Sequence, residues 1–157
     1  MDLQSDINEL RKMRFLGEED NIDVFEDILS QIYYNGDITL IKELCSIFVD
    51  DIDFPSASES IMKTILHICK KCGNDDGMIE LVNNMDRMFP QGKNCAEKLT
   101  RMILNNELYT NPFINALNKA EYSKRNQIVN ILNEIKDYNS ERYKEKVDLV
   151  LQSIQEA

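Results

Sequence analysis

The side chains best equipped for chemistry in this chain sit in one short stretch: His67, Cys69 and Cys72. Imidazole and thiolate are the ligands zinc prefers, and Cys-x-x-Cys is a common half-site, so a small metal- or thiol-dependent regulator is one reading. The other half-site is missing, because Cys45 and Cys95 are single and remote in sequence. Cys69-Lys70-Lys71-Cys72 also has the spacing of a redox dithiol. Redox pairs sit at helix starts, where free amides lower the thiol pKa, and this pair falls at a helix end. Reduced thiols that pack as small hydrophobes are therefore expected at all four cysteines. As the single histidine, His67 is the only base available to a nucleophilic triad. It lies within an apolar helical face, which suits a structural ring better than a catalytic one.

Asp50-Asp51-Ile52-Asp53 resembles the start of a calcium loop. An EF-hand needs glycine at its sixth position and glutamate at its twelfth, and here those positions hold Pro55 and Ile61. No glycine-rich phosphate loop, His-Glu-x-x-His pair or Gly-x-Ser-x-Gly elbow occurs. The expectation is a chain with no catalytic residue, no metal and no cofactor, and hence a binding protein.

The elements that must position these residues are helical throughout. Glycine numbers five and proline three, and apolar residues recur at three-and-four spacing. A first helix is expected over about 3–16, stopped by Gly17, and a second over 22–34 after an Asp20–Asn21 cap. Asn35-Gly36 turns the chain, and Asp37 caps an arm carrying Ile38, Ile41, Leu44, Cys45 and Phe48. Ser56 or Ser58 starts the next helix, which Gly73-Asn74-Asp75-Asp76-Gly77 ends with turn chemistry. An arm from Met78 to Phe89 follows. A pair then starts near Lys93 to Asn94 and is broken at Asn105-Asn106, and two last arms span about 123–137 and 140–155. Eight to nine helices with turns every 15 to 20 residues or so suit an all-α fold of stacked antiparallel hairpins, a HEAT- or armadillo-like array. One domain over 1–157 accommodates it, with 1–17 as an N-terminal helix, 20–137 as the core array and 140–157 as a C-terminal helix.

Charge is distributed unevenly. Of the net −10, all lies in residues 1–53, which hold fourteen acids and four bases; residues 54–91 sum to −1 and 92–157 to +1. Such a surface repels phosphate backbones and attracts a basic protein, so a protein partner is expected and direct nucleic-acid binding is not. Asp20, Asp23 and Asp27 share one helical face opposite Ile28 and Ile32, forming an anionic ridge, although helix N-termini favour acids in any case. No apolar run approaches the ~18–20 residues needed to cross a bilayer. Met1 is followed by Asp2, Asp6 and Glu9 rather than by a signal peptide, so a cytoplasmic protein off the membrane is expected.

Two stretches resemble a known family. Ile47-Phe48-Val49-Asp50-Asp51, followed by Ile61-Met62-Lys63-Thr64-Ile65-Leu66-His67-Ile68, is similar to the pattern of an acidic turn and then an apolar helix ending in a histidine in the bacterial Immunity protein 30 family. Leu99-Thr100-Arg101-Met102-Ile103-Leu104-Asn105-Asn106-Glu107 is similar to that family's arginine shortly before Ile-Leu-Asn and an acid. The likeness spans roughly 20–136.

The resemblance implies a helical, non-enzymatic protein that accompanies a polymorphic or contact-dependent growth-inhibition toxin. It would bind the cognate C-terminal toxin domain and occlude its active site or substrate path. Such toxins are frequently cytoplasmic nucleases with basic grooves, which an acidic surface complements. Under that reading the charged contacts are Glu19, Asp20, Asp23, Glu26 and Asp27 with Asp50, Asp51 and Asp53. Tyr33 and Tyr34 serve as aromatic anchors, Tyr33 turned inward and Tyr34 outward. Arg101 and Asn105 are expected to bond within the array. The rival readings are an acidic helical-repeat adaptor for a partner other than a toxin, and the regulator built on His67, Cys69 and Cys72.

Overall fold

The computed structural model describes residues 3–13, 22–50 and 55–155. These form nine α-helices, and no strand occurs among the described residues: α1 (Leu3–Met13), α2 (Ile22–Asn35), α3 (Ile41–Cys45), α4 (Pro55–Lys71), α5 (Asn74–Asn84), α6 (Lys93–Leu104), α7 (Glu107–Lys119), α8 (Tyr122–Tyr138) and α9 (Ser140–Gln155). The expected stop at Gly17, the Asp20–Asn21 cap and the acids at 51 and 53 lie outside the described residues.

Each helix buries the stripe its spacing calls for. Phe25, Leu29 and Ile32 of α2, Ile128, Ile131, Leu132 and Ile135 of α8, and Tyr143, Val147, Val150 and Ile154 of α9 are all buried and belong to one continuous core. Each such aliphatic side chain contributes about 1.5–3 kcal/mol when fully withdrawn from water. The hairpins α4–α5, α6–α7 and α8–α9 stack so that α5 packs on α7 and α7 on α9. On the other side α2 packs on α4 and α6 on α8, and Lys98 of α6 pairs with Glu59 of α4 at 3.5 Å. The array is thus two-layered, with α2 beside α4 and α6 beside α8 in one layer.

Three places depart from simple helical spacing, each for a local reason. The arm expected after Asp37 is not one helix. The Asp37 carboxylate accepts from the Thr39 amide and hydroxyl and starts a 3-10 turn over Ile38–Leu40, and α3 ends where the Ser46 hydroxyl donates to the Glu43 carbonyl at 2.6 Å. Ile47, Phe48 and Val49 then follow as three consecutive buried side chains, which one helical stripe cannot bury.

The Gly73–Gly77 stretch is not all turn. Gly73, at φ 95°, ends the link, and Asn74–Gly77 already form the first turn of α5. Gly77 is there for packing: a Cβ on it would lie 2.5 Å from the Cys69 Cα, so α4 and α5 cross at backbone distance.

Pro112 lies inside α7, where its missing N–H leaves the Leu108 carbonyl without its helical donor. The Asn74 Nδ2 supplies one at 3.2 Å and ties the start of α5 to α7.

Candidate partner-binding surface

The exposed side of α2 is the first element of the site. With Phe25, Leu29 and Ile32 turned into the core, helical geometry puts Asp23, Glu26 and Asp27 in solvent, and all three are exposed. Among the described residues none of these carboxylates is in an ion pair. Of the other expected contacts, Glu19, Asp20, Asp51 and Asp53 lie outside the described residues. Asp50 is described and half-buried, and its carboxylate is engaged: it accepts from the Asn94 amide at 2.9 Å and the Cys95 amide at 3.0 Å. Those are two of the unsatisfied donors of the first turn of α6, so Asp50 caps that helix from a remote loop.

At the far end of α2, Tyr34 is 72% exposed while Tyr33 is half-buried, the inward and outward orientations that the helical spacing gives. Tyr33 stacks on His67 of α4, with ring centroids 3.7 Å apart and planes within 10°. Tyr34 meets Tyr33 edge-on at 5.2 Å. Burial, and then the neighbouring Lys71 and Lys70 charges, hold the His67 pKa below its ordinary 6.5, so the stacked ring is neutral near pH 7. A shallow groove of about 180 Å³ runs between the two helices, lined by Glu26, Ser30 and Tyr33 of α2 and Ser60, Lys63 and Thr64 of α4. The α4 side of this groove is not marked in the sequence, since which helix covers α2 is a tertiary fact.

The stretch richest in ligand atoms is used for packing. Cys69 is fully buried against Gly77, and burial raises its thiol to about 12; Cys95 is raised to about 11, and burial raises Cys45 as well. Cys72 is half-buried. Among the described residues no three of His, Cys, Asp and Glu converge as a metal ion would require.

The residues of the two motif stretches likewise hold the frame. Asp50 caps α6, the Asn105 amide donates to the Tyr143 hydroxyl at 3.0 Å and its carbonyl accepts from Lys146, and Asn106 caps α7 by accepting from the Leu108 amide. No helix among the described residues is long and apolar enough to cross a membrane.

A layered helical array whose cysteines and histidine pack against their neighbours, and whose acidic and aromatic helix face is left in solvent, defines a class: an all-α helical array. The family model of Immunity protein 30 matches residues 12–113, and the chain belongs to that family. The match begins before α2 and ends within α7, so α8 and α9 lie beyond it. No curated protein and no solved structure matches the chain.

Proposed function

We propose that this chain neutralises a cognate toxin domain by binding it directly, without turnover, through the face built on α2. The family supplies the class of activity, since an immunity protein acts on a partner toxin and immunity families are in general non-enzymatic. The observation that carries the choice of surface is the row of exposed carboxylates at Asp23, Glu26 and Asp27, in no ion pair among the described residues and ending in the exposed Tyr34. Glu19 and Asp20 extend that row in sequence, and Asp51 and Asp53 add negative charge elsewhere in the same acidic third. Asp50 adds to the field, while its oxygens stay on α6.

Such a surface complements a basic groove, so the partner is a toxin of the polymorphic or contact-dependent growth-inhibition kind with a cationic substrate path, a cytoplasmic nuclease being the fitting chemistry. Occupying that path blocks the substrate sterically and by charge. Tyr34, with Tyr33 held beneath it by His67, gives the acidic row an aromatic anchor of the type that dominates interface energetics.

The test is calorimetric titration of the toxin domain encoded directly upstream with the wild-type chain and with D23K/E26K/D27K. The triple variant should keep its helicity and lose about 2–5 kcal/mol of affinity if the carboxylates are paired at the interface. A loss confined to the association rate, vanishing with added salt, would reduce the ridge to a steering field. Unchanged affinity would put the interface on another face.

A further inference from the structure

Asp23, Asp27 and Tyr34 follow one another at spacings of four and then seven residues, so they share one stripe of α2, with Tyr34 at its C-terminal end. The last carbonyls of a helix have no donor within it, and the dipole leaves that end partly negative. The last turn of α2 contains no basic residue that could answer either need.

The neighbouring helix α4 answers both from one stretch. The Nζ of Lys71 donates to the Tyr34 carbonyl at 3.0 Å and brings a cation to the negative end of α2. Four residues earlier on the same side of α4, the His67 ring lies flat on Tyr33, with centroids 3.7 Å apart and planes within 10°. Tyr33 in turn meets the Tyr34 ring edge-on at 5.2 Å. The chain then turns at Gly36, where a Cβ would come within 3.3 Å of the Ile68 Cδ1, so the turn after Tyr34 also rests on α4. Tyr34 itself stays 72% exposed, held by its carbonyl and by one edge of its ring.

We infer that His67 and Lys71 are positioning residues for partner binding: without touching the partner, they hold the end of α2 so that Tyr34 is already oriented when the partner arrives. The inference rests on the reading of α2 as the toxin-binding face. An aromatic side chain on a fraying helix end loses backbone and rotamer freedom on binding, and one that is set beforehand loses less. The stack needs a flat ring on α4, so phenylalanine can replace His67 and alanine cannot. The hydrogen bond needs the Lys71 ammonium, so methionine keeps the stem and loses the contact.

The test is a double-mutant cycle on affinity for the toxin domain encoded directly upstream, with Tyr34→Ala as the common partner. Tyr34→Ala should weaken binding at least tenfold. His67→Ala should weaken it about fivefold in the wild-type background, a size set by the ordering of one or two side chains, and by less than about twofold once Tyr34 is gone. His67→Phe should restore the wild-type affinity. Lys71→Met, a change at an exposed position, runs the same cycle with no ring to lose and should likewise act only when Tyr34 is present. In the free chain, the Tyr33 ring protons should move downfield in His67→Ala and stay shielded in His67→Phe, by proton NMR. An equal loss from His67→Ala or Lys71→Met with and without Tyr34 overturns positioning, as does a failure of His67→Phe to restore binding. A large effect of Tyr34→Ala with none from either α4 variant also overturns it, while leaving the α2 face intact. If Tyr34→Ala binds as well as wild type although the Tyr33 protons shift as described, the reading of α2 as the binding face falls, and His67 and Lys71 then position nothing the partner uses.

Discussion

Gly77 shows how little room one position can have. A methyl group there would sit 2.5 Å from the Cys69 Cα and 2.7 Å from its Cβ, backbone-level contacts that no rotamer change relieves. Gly77→Ala should force α4 and α5 apart and cost about 1–3 kcal/mol, the usual range for overpacking. It would be read as a lower urea midpoint at unchanged slope. An unchanged midpoint would mean the crossing can open freely. His67 carries a second residue-scale prediction. Its folded pKa is depressed, so between that value and the unfolded 6.5 the unfolded chain binds more protons. The stability it contributes is complete above about 6.5 and is lost as pH falls through the folded value. The urea midpoint of wild type should therefore drop between pH 7 and pH 5.5 by more than that of His67→Gln; equal drops would assign the titration to other groups. Much at this scale is legible in the sequence. The orientations of Tyr33 and Tyr34 follow from where Phe25, Leu29 and Ile32 must point, and His67 and Cys69 sit among apolar neighbours, as a packing role requires. The Tyr33–His67 stack is not legible, because it depends on the pairing of α2 with α4.

At the scale of elements, the long amphipathic helices are readable because their stripes are regular: α8 and α9 begin and end within a residue or so of their apolar periods. Misreadings occur where one residue type serves two purposes. Gly73-Asn74-Asp75-Asp76-Gly77 has turn composition, yet only Gly73 adopts a positive φ, and Gly77 is small for a helix crossing. Asp50 looks like one more acid in an acidic run, and its neighbours in sequence do not reveal that the first turn of α6 lies against it. Its removal is an element-scale experiment. Asp50→Ala leaves two amides of α6 without their acceptor and should cost about 1–2 kcal/mol of stability, in the range of a lost cap or a hydrogen bond to a charged group. Chemical denaturation checks the cost, and the toxin affinity of the folded variant should stay at the wild-type value. A variant of normal stability and reduced affinity would make Asp50 a contact rather than a cap.

For the molecule as a whole, the layered array and the charge distribution act together. Stacked hairpins bury a continuous core and leave one helix of each end pair at the border of the layer, and the net −10 is concentrated toward the end that begins with α2. Architecture and charge are both plain in the sequence, because periodicity and composition are sums over many residues. A cleft between α6 and the α8–α9 corner is not plain, since Glu97, Glu134 and Tyr138 line it from separate helices that only the fold brings together. The family assignment, by contrast, is readable from motif stretches, several of whose residues bond and cap within the frame. The account turns on neutralisation by direct contact, and the most direct measurement is survival of cells producing the upstream-encoded toxin domain together with wild-type chain or with D23K/E26K/D27K. The account predicts survival and a co-purifying complex with wild type, and cell death without a complex for the triple variant at equal cellular abundance. Death in the presence of well-expressed wild-type chain, or full protection by the triple variant, would contradict it.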